Sequence, residues 1–411
     1  MTGSAPPVNQ SRLLSRIRQL AQIGHSPGRG ITRLAWSAED RAAVKLVSEW
    51  AEAAGADIHI DAVGNLLADR PGTVSGLAPL VTGSHLDTVI NAGPLDGAYG
   101  VVAGIEVLAC LHDARLETRH PLRVCAFANE EGVVAPPFTG SRAVAGKLQP
   151  HELEEPSADA LTLAARLRAI GCDPGQAAAA AWHPIAAMLE LHIEQGPVLE
   201  HGGTAIGVVT AITSQRWGTI SITGEANHAG TTPMGFRHDA LVAGAQVVLA
   251  VQELATNGPA DVATVGRITA SPGATNVVPG HCELSFDVRA IDDAKAADAM
   301  AQLHDRLANI GRVTGCVLEV RALPVKPAAA TDKNLQELIT EVARARKLST
   351  ARVASGAGHD CANLVGLGPV GMIFVPSEKG ISHNPDETTP DQALVDGVAV
   401  LLDTLICLDK L

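Results

Sequence analysis

A change of rhythm near Thr213 constrains the fold of this chain more than any single residue does. Before it, strand-like runs at Asp57–Ile60, Leu66–Asp69, Pro79–Thr82, Arg123–Ala128 and Met188–His192 are separated by helical periods. Ser11–Ile23 repeats apolar residues at Leu13, Leu14, Ile17, Leu20 and Ile23. Ser37–Ala54 does the same, and a third period carries Val101, Gly104, Ile105, Leu108 and Leu111. Such alternation predicts an α/β sheet with helices on both faces, its chemistry lying outside the carboxyl ends of the strands. From Thr213 the expected order is βαββαβ: Trp217–Thr223, Asp239–Leu254, Val262–Ile268, Cys282–Ala290, Ala294–Ile310 and Cys316–Arg321. That order is the split-βαβ, ferredoxin-like unit with a four-stranded sheet. Leu335–Lys347 then resumes the earlier helical pattern. A chain of 411 residues exceeds one ordinary core, so the expected layout is a first domain of 1–212 and 330–411 with an α+β domain inserted at 213–329. The connections would be Ala211–Ser214 and Leu323–Ala330, the latter with Pro324 and Pro327.

Composition narrows the function classes. Lys and Arg total 31 against 44 Asp and Glu, which argues against a nucleic-acid or anionic-membrane partner and for a small solute. Met1–Gln10 lacks a cationic segment followed by an apolar run, and no stretch reaches the roughly 18 apolar residues of a membrane span, so a soluble cytoplasmic protein is expected. Seven scattered cysteines, with no Cys-x-x-Cys, predict reduced thiols rather than disulfides or a thiolate metal site. Cys361, beside His359 and Asp360, reads as structural, because its spacing places no general base.

Five short segments, punctuated by Gly or Pro or ending an apolar run, present imidazoles and carboxylates. They are Gly83-Ser84-His85-Leu86-Asp87-Thr88, Pro94-Leu95-Asp96-Gly97, Asn129-Glu130-Glu131-Gly132, His192-Ile193-Glu194-Gln195-Gly196 and Ser382-His383-Asn384-Pro385. Nitrogen and oxygen donors without thiolate suit a zinc-like divalent ion held open for hydrolysis. Asp87, two residues after His85, is placed to hydrogen-bond the imidazole and fix its tautomer. Asp96 sits in a turn that presents a carboxylate rigidly, suited to bridging two cations. Of the adjacent pair, Glu131 is assigned to metal and Glu130 to the base that activates water. Each segment alone also fits a plainer reading: a capped loop histidine, an Asp-Gly turn, a solvated acidic pair. Their joint presence favours the metal.

The segments, their order and the insert resemble the M20 metallohydrolase superfamily, and within it the hydantoinase/carbamoylase branch, over nearly the whole chain. The resemblance implies a mixed-sheet catalytic domain holding two divalent ions, zinc first, with manganese, cobalt and nickel as alternatives. One ion would sit on His85, Asp96 and His192, the other on Asp96, Glu131 and His383. Histidine at 192 separates this branch from many M20 peptidases and deacylases, which carry a carboxylate there. The insert adds Asn227-His228-Ala229-Gly230, Ala274-Thr275-Asn276-Val277 and Asp287-Val288-Arg289. By resemblance, Asn276 and Arg289 hold a substrate carboxylate, and His228 reaches a second subunit to stabilise the oxyanion, which implies a homodimer through an inserted lid. Gln195 contacts the ureido group, Gly358 and His359 line the pocket, and Arg216 is a further substrate contact. The implied activity is hydrolysis of N-carbamoyl-amino acids. Alternatives are an allantoate or ureidoglycolate amidohydrolase, an M20 peptidase or deacylase, and a non-catalytic solute-binding homologue. Gly132-Val133-Val134-Ala135-Pro136-Pro137-Phe138 departs from the wording common in the branch, which leaves substrate width open.

Overall fold

A computed structural model describes residues 6–323 and 325–411, so Pro324 of the expected second connection lies outside the described residues. The chain divides into two compact units, 1–210 with 331–411, and 211–330.

The first unit is built on a mixed sheet. Along it lie Ile206–Ile212, Val370–Val375, Ala187–Ile193, Leu80–His85, Leu122–Phe127, Leu66–Arg70 and Asp57–Ile60, with Thr350–Ser355 also paired to Ile206–Ile212. The four strands from Val370–Val375 to Leu122–Phe127 run parallel, and their neighbours on either side are antiparallel. Parallel strands covered on both faces read as continuous apolar runs, which is how 187–193 and 370–375 are buried at every position. Helix Ala98–Asp113 is buried from Ala98 to Leu111 because it lies against Leu80–His85 while helices 10–20, 38–53 and 391–408 pack around it. Side-chain caps start the flanking helices: Asn9 accepts from the Arg12 N–H, Ser37 from Asp40 and Asp332 from Leu335.

Sequence periodicity located most of these elements but missed strands Ile206–Ile212, Thr350–Ser355 and Val370–Val375 and helix Asp391–Leu408. It also ended two strands early: His85 lies inside strand 80–85, beyond the expected end at Thr82, and strand 187–193 runs past His192 to Ile193. The expected connection Ala211–Ser214 is nearly all strand, with only Thr213 between Ile206–Ile212 and Ser214–Thr223.

The second unit is an antiparallel sheet in the order 262–264, 281–290, 214–223, 317–322, with helices Ala240–Thr256 and Asp293–Thr314 packed on it. Its core includes Ile220, Ile222, Val247, Leu284, Val288 and Leu303. The single strand expected at 262–268 is two, Val262–Thr264 and Ile268–Ser271, both paired with His281–Ala290. Three residues, 265–267, face two, 285–286, and such an extra residue breaks a ladder into a bulge.

Candidate metal centre

The parallel strands deliver the first donors. His85 closes its strand, His192 lies one residue from the end of the adjacent one, and both are almost fully buried. Asp96 precedes Gly97, at the start of helix Ala98–Asp113. A Cβ at Gly97 would come within 2.3 Å of the His85 ring, and its φ is +61°, so only glycine lets the turn approach this closely. Glu130 and Glu131 follow Asn129, a non-glycine residue with φ of 56°. That backbone is held because Asn129 Nδ2 donates to Pro136 O at 2.9 Å and Thr139 Oγ1 at 3.0 Å. His383 comes from the loop after Val370–Val375 and is also left-handed, φ 54°.

Asp96 is the centre of the cluster. Its Oδ1 lies 3.2 Å from His192 Nε2 and 3.6 Å from His85 Nε2, while Oδ2 lies 3.2 Å from His383 Nε2. His383 Nε2 is 3.5 Å from Glu131 Oε2, and His85 Nε2 is 3.6 Å from Glu130 Oε2. The two oxygens of one buried carboxylate therefore face two donor sets, His85 with His192 and Glu131 with His383. Behind the first set, His85 Nδ1 meets Asp87 O at 2.9 Å and His192 Nδ1 meets Ile193 O at 2.8 Å. A carbonyl at Nδ1 demands a proton there, which turns each Nε2 toward Asp96; the His192 Nε2 also accepts the Gly97 N–H at 3.1 Å.

The electrostatics suit a cation. Burial favours neutral imidazole at His85, but Glu130, Asp96 and Asp87 raise its pKa well above the ordinary histidine range. Burial also opposes charge on Asp96, yet the imidazoles of His192, His383 and His85 that face it hold it well below the usual carboxylate range. Burial, then Asp360, Glu131 and Asp96, push Glu130 well up; burial and Asp96 push Glu131 to about 7. Carboxylates crowded this way repel one another, and divalent charge relieves that repulsion. The residues present fit a metal-binding site.

Several expectations change. The Asp87 carboxylate does not bond the imidazole, from which its Oδ1 lies 3.9 Å. Its oxygens instead accept the Glu130 N–H at 3.2 Å and the Glu131 N–H at 3.3 Å, and it is the backbone carbonyl that meets His85. Two backbone donors with no other acceptor outcompete an imidazole already served by a carbonyl. His359 is 2% exposed, edge-on to His192 with centroids 4.8 Å apart, and its Nε2 meets Ser355 Oγ at 2.7 Å. Burial and His192 keep it neutral, so it packs behind His192 rather than forming an open wall. Gly358 lies against the Phe138 ring. Gln195 Nε2 donates to Asp96 Oδ2 at 2.8 Å, and its buried Oε1 has no partner among the described residues.

The sequence reading missed two buried groups. The Glu387 carboxylate accepts the Leu95 and Asp96 amides, across 291 residues or more. The Arg33 guanidinium donates to Leu86 O, between His85 and Asp87. Neither has a pattern of its own in the sequence, since the Leu95 and Asp96 amides that Glu387 serves and the Leu86 carbonyl that Arg33 serves are backbone atoms distant along the chain.

In the second unit His228 is exposed, on a two-residue ladder with Val277–Val278, next to Asn276. Its Nδ1 accepts from the Gly230 and Thr231 amides at 3.0 and 3.2 Å, so Nε2 carries the proton and is a donor. Arg289 pairs with Asp287 at 2.7 Å beside Trp217. Arg216 pairs with Asp293 at 3.1 Å and lies opposite Val288, one register step from the Gln215–Arg289 pair. Side chains one step apart point to opposite faces, so the sheet does not bring Arg216 to Arg289.

Imidazoles and carboxylates gathered around a shared aspartate at the carboxyl ends of parallel strands mark a metal-binding hydrolase. Residues 81–406 match Peptidase family M20/M25/M40. The chain is 35% identical over 401 residues to the N-carbamoyl-L-amino acid amidohydrolase of Geobacillus stearothermophilus, covering 97% of this chain and 98% of that protein. It is 35% identical over 388 residues to the allantoate amidohydrolase of Escherichia coli strain K12, covering 93% and 94%. A crystal structure of an amidase of the hydantoinase/carbamoylase family from Burkholderia multivorans superposes with a TM-score of 0.92 at 36% identity, covering 98% and 99%. The chain belongs to the M20/M25/M40 family, in its hydantoinase/carbamoylase branch.

Proposed function

We propose that the protein hydrolyses the ureido C–N bond of N-carbamoyl-amino acids, yielding the amino acid, carbon dioxide and ammonia. The observation that carries this reading is the split of Asp96 between two donor sets with Glu130 beside them. His85, Asp96 and His192 would hold one divalent ion, and Asp96, Glu131 and His383 a second, with zinc the first candidate and manganese, cobalt or nickel alternatives. Bound cations supply Lewis-acid polarisation of the carbonyl and a lowered pKa for water.

The chain's own groups do the rest. Glu130, buried but for 7% of its surface, takes the proton of the attacking water and returns it to the leaving nitrogen. Gln195 offers its unpartnered Oε1 to a ureido N–H. Arg289 and Asn276 receive the substrate carboxylate, which must displace Asp287 from the guanidinium. His228, delivered from a second copy of the chain, donates its Nε2 proton to the developing oxyanion, an interaction worth about 3 kcal/mol. The inserted unit is thus a lid and a dimerisation element. Free thiols at all seven cysteines fit a cytoplasmic setting, and among the described residues no helix is long and apolar enough to cross a membrane.

A second reading is allantoate or ureidoglycolate hydrolysis; its allantoate form has equal support in identity, 35% to the allantoate amidohydrolase and 35% to the N-carbamoyl-L-amino acid amidohydrolase. Ammonia release with N-carbamoyl-L-amino acids, N-carbamoyl-β-alanine, allantoate, ureidoglycolate and two dipeptides, with and without chelator, separates them. Chelator-sensitive release from N-carbamoyl-amino acids is the expected result. Release from allantoate alone selects the second reading, and amine release from dipeptides alone moves the chain to the peptidases. Glu130→Gln should lower turnover by about 10²–10⁴-fold with metal content unchanged. Comparable turnover in that variant removes Glu130 as the base.

A further inference from the structure

Glu387 is 3% exposed and makes every contact of its carboxylate with the segments that carry Asp96 and His383. Oε1 accepts the Leu95 N–H at 2.8 Å and the Asp96 N–H at 3.0 Å; Oε2 accepts from Ser382 Oγ at 2.8 Å. Ser382 Oγ also lies 3.0 Å from Asp96 Oδ2. The hydroxyl has one proton and two carboxylates competing for it, so charge drawn from Asp96 Oδ2 sends the proton to Glu387. The chain makes room for this strut: a Cβ on Gly93 would come within 2.2 Å of the Glu387 Cβ.

The donor sets differ in how they are held. His85 and His192 stand on buried strands, whereas the His383 side chain is 50% exposed, on a loop with left-handed residues at Lys379 and His383. Nothing in the sheet fixes the distance between His383 and the Asp96 turn. The bridge from Ser382 through Glu387 to the Leu95 and Asp96 amides does.

We infer that Glu387 is a positioning residue for the second cation, setting Asp96 Oδ2 against His383 through Ser382 and the Asp96 turn. The inference rests on the metal-site reading above. It predicts an unequal defect, because the Ser382 link reaches only Asp96 Oδ2 and the His383 loop, while the His85–His192 set shares Asp96 alone and has its imidazoles braced by the carbonyls of Asp87 and Ile193.

The test is calorimetric titration of chelator-stripped full-length protein with Zn²⁺, comparing wild type, Glu387→Ala and Glu387→Gln, with thermal melts alongside. Wild type should take up two equivalents. Glu387→Ala should weaken one of them by about tenfold or more and leave the other within threefold, the range seen when supports behind metal ligands are removed. Glu387→Gln keeps an oxygen for both amides and an amide group for Ser382 Oγ, so it should recover most of that loss. A merely structural glutamate would weaken both equivalents together, in step with the melting temperature. Two wild-type affinities in Glu387→Ala, or equal losses at both positions, overturn the inference. No zinc uptake by the wild type sinks the metal reading itself, and the two failures are distinct.

Discussion

Arg33→Met isolates how the His85 segment is held. Arg33 is 1% exposed; its Nε donates to Leu86 O at 2.6 Å and its Nη1 to Ile23 O at 3.1 Å and Leu20 O at 3.3 Å. Leu20 O already accepts the Ile23 N–H, so its loss costs little. Leaving the Leu86 carbonyl buried and the Ile23 carbonyl half-buried without a donor costs about 3 kcal/mol for the first, a short bond, and about 1 kcal/mol for the second, or roughly 4 kcal/mol together. Against this, burial lowers the guanidinium pKa from 12.5 to about 10. At 1.36 kcal/mol per unit, methionine relieves roughly 3 kcal/mol of charge desolvation. The deserted carbonyls win, and the variant should be destabilised by about 1 kcal/mol. Urea unfolding followed by tryptophan fluorescence reports mainly on the first unit, which holds Trp36, Trp50 and Trp182, with only Trp217 in the second. A lowered midpoint with unchanged slope is expected. Because Leu86 lies between His85 and Asp87, zinc affinity should fall as well. A variant as stable as wild type would refute the reasoning, since desolvation relief would then match or exceed the hydrogen bonds.

Gly97→Ala places a methyl within 2.3–2.4 Å of His85 ring atoms at a left-handed φ, so zinc uptake by calorimetry should fall by about 100-fold or more while far-ultraviolet circular dichroism stays folded. Zinc affinity should also rise with pH: Asp96, then Glu131, raise the His383 pKa from 6.5 to about 9 against the effect of burial. Between those values only the folded chain keeps the proton, so the stability of metal-free protein declines across that window while the cation competes with less proton. Zinc titrations at pH 6.5, 7.5 and 8.5 that gave one affinity would remove His383 from the ligands.

Periodicity and motif order reached far into this protein. Parallel strands buried on both faces must be apolar along their length, which is why runs such as 188–192 and 123–128 were legible, and the βαββαβ order marked the second unit without any knowledge of its contacts. Donor chemistry was legible too, because histidines and carboxylates in segments closed by Gly or Pro are written locally. What stayed hidden depended on atoms distant along the chain. Asp87 looked like a partner for His85, two residues away, and the structure instead gives its carboxylate to the amides of Glu130 and Glu131. His359 looked like a pocket wall and is packed behind His192. Glu387 and Arg33 gave no signal, for the partners that tie them to the site from afar are backbone groups, which every residue has and no sequence pattern marks. The sequence alone determined which side chains could bind a metal and which segments would be strand or helix. Only the tertiary structure decided that Asp96 turns one oxygen to each donor set, because that geometry is fixed by close approach at Gly97 and by hydrogen bonds spanning nearly 300 residues.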